Sequence, residues 1–272
     1  MKNTRRLATF ARSWRLLRSF RHEQTRPDIF YSGLAHDTSM LIDALWRDLA
    51  RHNEDLTGKS VLDVGGGPGY FAKEFERLGA WYVGVEPSVS EMAAAGLSGY
   101  GALRGEGEAL PIRDNAFDVV FSSNVAEHIA DWRAMGAEML RVVKPGGLVV
   151  MSYTVWLGPF GGHETGLWQH YIGGEYARRR YQRVHGHPPK NVWGTSLFAV
   201  SAREGLEWAR AVAGPAPSAA SAPAPSAPAP SAPAVSAWRA FPRYHPWWAW
   251  WVTKVPVLRE FAVSNLVIVL KA

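Results

Sequence analysis

The sequence predicts an α/β protein built on a largely parallel sheet, and two observations carry that expectation. Between residues 61 and 153 short apolar runs alternate with helical patterns, and strands separated by helices pair in parallel. The first apolar run, Val61-Leu62-Asp63-Val64, passes straight into Gly65-Gly66-Gly67-Pro68-Gly69. A glycine turn between a strand and a helix is where such sheets bind ligands.

The elements follow in chain order. Residues 5–21 place Leu7, Phe10, Trp14 and Leu17 at helical spacing with Arg12, Arg15 and Arg18 between them. This predicts an amphipathic basic helix whose apolar stripe packs on the domain while its arginines stay solvated. Docking of that helix on a membrane surface or an anionic ligand is the alternative. A second helix over 38–52 would bury Leu41, Ile42, Leu45, Trp46 and Leu49. Strands are expected at 61–64, 81–85, 101–104, 117–122 and 147–153, with helices at 69–78, 88–96 and 131–142. Ser201-Ala202-Arg203-Glu204 is a capping box opening a helix to about Ala211. Gly214 to Pro233 is almost wholly Pro, Ala and Ser, which buries no core and predicts an extended or disordered linker. A strand at 238–241, a Trp-rich turn and helix, and a closing strand at 266–270 complete the chain.

At 272 residues, one domain with an elaborated cap is expected. The division reads as an N-terminal basic helix with cap helices over 1–55 and a ligand-binding domain over 56–272, with a cap insertion at about 155–200 and the linker at about 214–236. Cysteine is absent, which excludes disulfides and thiolate chemistry. Residues 1–26 carry Lys2 and seven arginines against Glu23, a net +7, whereas the whole chain carries +6. The remainder is therefore −1, which argues against a nucleic-acid groove across the body. No apolar run is long enough for a signal peptide or a membrane span, so cytoplasmic residence is expected, with contact at the inner membrane face as an extension of it.

Gly65, Gly67 and Gly69 follow a G-x-G-x-G spacing, and Tyr70 stands where the dinucleotide fingerprint needs its third glycine. Asp63 before the loop would repel a pyrophosphate but suits an ammonium group. The loop thus predicts a nucleoside ligand without phosphates. Four blocks then resemble the class I S-adenosylmethionine (SAM) methyltransferases: Leu62 to Phe75, Tyr82 to Ser88 ending its strand in Glu86, Gly105 to Ile129, and Arg141 to Thr154. LGPFGGHETGLWQHYIGGE, VHGHPPKN and FPRYHPWWAWW are similar to a narrower actinobacterial methyltransferase group. The resemblance implies a Rossmann-like seven-stranded sheet, mostly parallel, with the last two strands as an antiparallel hairpin at one edge. It also implies SAM as cofactor. Gly65, Gly67 and Gly69 would approach its methionine part, Asp63 its amino group and Glu86 its ribose hydroxyls. Glu106 and Gly107 would meet the adenine, and Ser123 and Asn124 would line the floor near the sulfur. Glu106 departs from the usual aspartate at its position.

Methyl transfer to oxygen needs in-line placement and often a general base. His163, in a loop with Gly161, Gly162 and Gly166, is the first candidate, His170 the second and His128 a third; His245 is also available. No metal-ligand set appears at characteristic spacing, so no metal is expected. Ser122-Ser123-Asn124-Val125 lacks the tetrapeptide of amino-directed nucleic-acid methyltransferases. Trp247, Trp248, Trp250 and Trp251, with Trp156, Phe160, Trp168 and Trp193, are expected to pack the cap for at least half their number. Together with the basic helix they suit a small or amphipathic acceptor, such as a lipid-linked or envelope precursor. Alternatives are N- or C-methyl transfer to a quinone-like or other small molecule, and a SAM-binding accessory protein without turnover.

Overall fold

A computed structural model describes residues 1–20, 25–50, 54–93, 101–214 and 233–272. Its centre is a seven-stranded sheet of β1 (Ser60–Val64), β2 (Trp81–Glu86), β3 (Ala102–Arg104), β4 (Phe117–Ser123), β5 (Val143–Thr154), β6 (Ala237–Pro242) and β7 (Asn265–Lys271). They lie in the order β3-β2-β1-β4-β5-β7-β6. Pairing is parallel from β3 through β5, and β7 is antiparallel to both neighbours. This is a Rossmann-like, mostly parallel seven-stranded sheet with an antiparallel pair at one edge, the arrangement that the resemblance implies. The order reverses between β1 and β4, which opens a crevice at their carboxyl ends.

The apolar strands are buried on both faces, as parallel strands flanked by helices must be. Successive residues alternate between two cores: Leu62, Val120, Val149 and Ile268 face one way, and Val61, Val119, Val150 and Val267 the other. The first core is closed by α6 (Trp132–Val142) and α9 (Ala202–Val212). The second is closed by α3 (Pro27–Leu49) and α4 (Ala72–Arg77). Leu41, Ile42, Leu45 and Trp46 of α3 are each at most 3 % exposed, as their spacing predicts. The helix begins earlier than 38, because Pro27 opens it and its locked φ suits a first turn. The Ser201–Glu204 capping box is formed on both sides.

The N-terminal helix departs from expectation twice. Thr9 interrupts it, its side chain accepting the Arg12 N–H as the N-cap of α2 (Phe10–Ser19), which follows α1 (Lys2–Leu7). More consequentially, α2 is turned over. Phe10, Trp14 and Leu17 are 65 %, 55 % and 36 % exposed, whereas Arg12, Ser13 and Leu16 are buried. The cause is a buried fork: Arg12 Nε and Nη2 donate to the two carboxylate oxygens of Asp37 at 2.7 and 2.8 Å. A guanidinium leaves water only for such a partner, and that pairing sets the rotation of the helix.

The structure also places α5 at Val89–Ala93, α7 at Gln169–Ile172, α8 at Gly174–His185 and α10 at Pro256–Ala262. Residue 21 of the first helix, the ends of the helices expected to reach 52 and 96, and linker residues 215–232 lie outside the described residues. The linker's downstream anchor is at the amino end of β6, where the Ser236 N–H donates to the Lys271 carbonyl. That end of the sheet is opposite the crevice.

Candidate active site

The glycine loop is tied down by its neighbours. The Gly65 and Gly66 amides donate to the Val85 carbonyl at 2.8 and 3.1 Å. Gly65 has φ +80°, and a Cβ there would lie 2.5 Å from Val125 Cγ2, so both conformation and space demand glycine. Gly67 and Gly69 also have positive φ, yet a Cβ on either would meet nothing within 4 Å. Their outer side is open space of the kind a ligand fills.

Two carboxylates flank that space. Asp63 is 1 % exposed and accepts from the Tyr82 hydroxyl at 2.7 Å. Burial pushes its pKa up to about 7, the Tyr82 hydrogen bond opposing and the Glu86 charge adding. A buried carboxyl with a phenol but no cation beside it is suited to receive an ammonium group. Glu86 accepts the Gly67 amide on Oε2 at 3.0 Å and the Ser88 amide on Oε1 at 3.1 Å. It clamps the loop and keeps a lone pair on each oxygen for ligand hydroxyls. Glu106 is exposed beyond β3, and the preceding Gly105 amide donates to the Glu86 carbonyl. Gly107 is buried, where a Cβ would crowd Met135 and Ile129.

The floor beyond β4 is held from the far strands. Ser123 Oγ accepts from Arg243 Nη1 at 3.0 Å. Asn124 has φ +58°, with its amide bonded to the Ser152 carbonyl and its Oδ1 accepting from Asn265 Nδ2 at 2.7 Å. Arg243 is 1 % exposed and also reaches Ser152, Thr38 and Asp37. Burial opposes ionisation of Asp37, but Arg12 and Arg243 beside it hold its pKa below the ordinary carboxylate value.

The histidines separate by role. His170 is buried with Nε2 on the Gly158 carbonyl at 3.1 Å, a contact that pins the loop after β5. His245 is half-buried; burial lowers its pKa, and its Nδ1 has no partner. His128 and His163 meet edge to face, with ring centroids 5.1 Å apart. Glu127 joins them, so one donor atom from each of the three lies within 4.8 Å of the others. The sequence shows no metal-ligand set at characteristic spacing, yet these three donors come together in space. The set is assembled from the end of β4 and the loop after β5, a juxtaposition that local spacing does not reveal. Burial lowers the pKa of His163, with Glu127 opposing.

An aromatic group roofs the crevice. Phe20 stacks on Phe160 at 4.5 Å and contacts Phe30 and Tyr244, while Tyr31 stacks on Tyr70 of the glycine loop at 5.4 Å. The cap therefore joins the N-terminal helices to the insertion after β5. Arg243, Glu127, Tyr82 and the Arg12–Asp37 pair were not singled out as site residues by sequence reasoning. Only the Glu127-His128 adjacency signalled one of them.

A glycine loop between β1 and its helix, an acid ending β2 and a floor after β4 define a methyltransferase site by fold. A family model described as a methyltransferase domain matches residues 62–151. An uncharacterized methyltransferase of Mycobacterium tuberculosis strain H37Rv is 55 % identical over 269 residues, covering 97 % of this chain and 96 % of that one. One from Mycobacterium avium is 53 % identical over 270 residues, covering 98 % and 97 %. The chain belongs to this methyltransferase family. Among solved structures, a SAM-dependent methyltransferase of Thermotoga maritima is similar at a TM-score of 0.47 and 19 % identity, covering 95 % of this chain and 99 % of that one.

Proposed function

We propose that the protein uses SAM to methylate an oxygen of a small or amphipathic acceptor. The observation that carries the cofactor is the open cradle over Gly67 and Gly69 beside a buried Asp63 that lacks a cation. Bound SAM supplies an electrophilic methyl on sulfur. Asp63 orients the ligand's amino group, Glu86 accepts from its ribose hydroxyls, Glu106 and Gly107 border the base, and Ser123 and Asn124 form the floor. Oxygen is favoured because the Glu127–His128–His163 cluster sits beside that floor and can take up a hydroxyl proton, with His163 the first candidate base. His170 serves the site by holding the loop. The aromatic roof offers flat apolar surface to the acceptor.

The amphipathic class of acceptor is supported by the outward face of α2. Phe10, Trp14 and Leu17 are exposed beside Arg15 and Arg18. The segment carrying exposed Trp247, Trp248 and Trp251 adjoins α1: the Trp247 amide donates to the Ala8 carbonyl, and Arg5 lies over the Trp247 ring at 5.9 Å. Aromatic side chains rimmed by arginine suit an anionic lipid surface. No helix among the described residues is long and apolar enough to cross a membrane.

The test is calorimetric titration with SAM and S-adenosylhomocysteine, followed by labelled methyl transfer to metabolite and envelope extracts. Micromolar binding lost in both Asp63→Ala and Glu86→Ala is expected. A folded wild type that binds neither nucleoside would overturn the reading. Binding without transfer to any extract would instead favour the accessory role.

A further inference from the structure

The cluster at the ends of β4 and β5 has more specific geometry than a general base requires. Glu127 is 1 % exposed. Its Oε1 accepts from the Thr154 amide at 3.0 Å, while Oε2 is buried with no partner. His163 Nε2 is likewise buried without a partner. His128 Nδ1 lies 2.7 Å from the Ser196 carbonyl. A carbonyl only accepts, so Nδ1 bears the hydrogen and Nε2 presents its lone pair, the arrangement that orients metal-bound histidines. The backbone is fixed as well: the Phe198 amide donates to the Glu127 carbonyl and the His163 amide to that of Phe160. His163 is held at φ +48°, in the left-handed region that non-glycine residues rarely adopt.

We propose that Glu127, His128 and His163 form a divalent metal site of the zinc class, with at least one coordination position open to the acceptor. Two imidazoles and one carboxylate are a borderline donor set that suits such ions, and three protein ligands characterise catalytic rather than structural sites. Ligation at about 2.1 Å sets tetrahedral donors roughly 3.4 Å apart. The three donor atoms, within 4.8 Å of one another, would close to that value on ligation. The position is also right: Val125, two residues before Glu127, fills the space a Gly65 side chain would need, and Phe160, three residues before His163, belongs to the roof. The ion would lie between the cofactor loop and the aromatic wall. An acceptor hydroxyl on the open position becomes more acidic and gives its proton to water, with no change in the metal's oxidation state. His163 is then a ligand and not a free base. That role deepens the oxygen-methylation reading and rests on it, whereas ion binding itself does not.

The experiment takes the full chain through a chelator, then titrates it with Co2+ followed by visible absorption and with Zn2+ by calorimetry. S-adenosylhomocysteine binding is measured on each sample as an independent reading of fold and cofactor site. One ion per chain is expected, weakened more than about tenfold in His128→Gln, His163→Gln and Glu127→Gln, with nucleoside binding retained. Nucleoside-binding wild type that takes up no stoichiometric Co2+ would overturn the proposal and leave a shared Glu127–His163 proton in its place. Uptake unchanged in all three variants would also overturn it, assigning the ion to other side chains. Folded wild type that takes up the ion but binds no nucleoside, with or without metal, would sink the SAM reading and uphold the metal site.

Discussion

Asp63 links proton binding to stability and, in the function proposed above, to ligand binding. Its folded pKa, about 7, lies above the unfolded value of roughly 3.9, so the folded state holds the extra proton between them. The stability this contributes is full below the unfolded value and is lost as pH rises through about 7. An ammonium ligand needs the ionised form, so SAM affinity should fall about tenfold per pH unit below the folded pKa, with proton release on binding. Calorimetry in buffers of different ionisation enthalpy reads that proton. Asp63→Asn should abolish the release, and a pH-independent wild type would refute the coupling. The glycines divide similarly. Gly65→Ala drives a methyl into Val125 and strains a positive φ, and should destabilise by about 2 kcal/mol in urea unfolding. Gly67→Ala meets no atom within 4 Å, so it should lose only about 1 kcal/mol while weakening SAM binding more than tenfold through the space it occupies.

At the scale of elements, the rotation of α2 rests on Arg12, Asp37 and Arg243. Breaking a buried ion pair leaves an uncompensated charge, so Arg12→Ala should destabilise by about 3–5 kcal/mol. Because Asp37 is depressed, its stabilisation is present above the unfolded pKa and disappears as pH falls through the folded one. Acid unfolding of wild type should therefore begin below about pH 4. An Arg12→Ala chain as stable as wild type would remove the pair as the cause of the rotation. This is also where sequence reading was least sufficient. The spacing of Leu7, Phe10, Trp14 and Leu17 correctly indicates helix, but periodicity alone does not say which face has a partner. That partner, Asp37, is supplied by α3 only after folding.

On the whole molecule, α2 exposes Phe10, Trp14 and Leu17, and the segment with exposed Trp247, Trp248 and Trp251 is tied to the chain just before α2 by the Trp247–Ala8 hydrogen bond. The membrane reading proposed above makes these aromatics a lipid-docking surface. The full chain should float with vesicles rich in anionic lipid, and the combined Trp14→Glu and Trp248→Glu variant should lose more than about 80 % of that flotation. Raising salt should weaken it through screening. Flotation with neutral vesicles alone, or none, would remove the membrane surface from the account. The strands, their order of appearance, the glycine loop and the acids at 63 and 86 were legible because each depends on local pattern: alternation, turn chemistry and a strand end. The capping box at Ser201 was legible for the same reason. Tertiary structure alone decided that Arg12 is inside and Trp14 outside, that Arg243 reaches 120 residues back to Ser123, and that Glu127 and His128 meet His163 across two strand ends. Burial energies and charge pairing act between elements, and a linear pattern records only the contacts that neighbours in sequence can make.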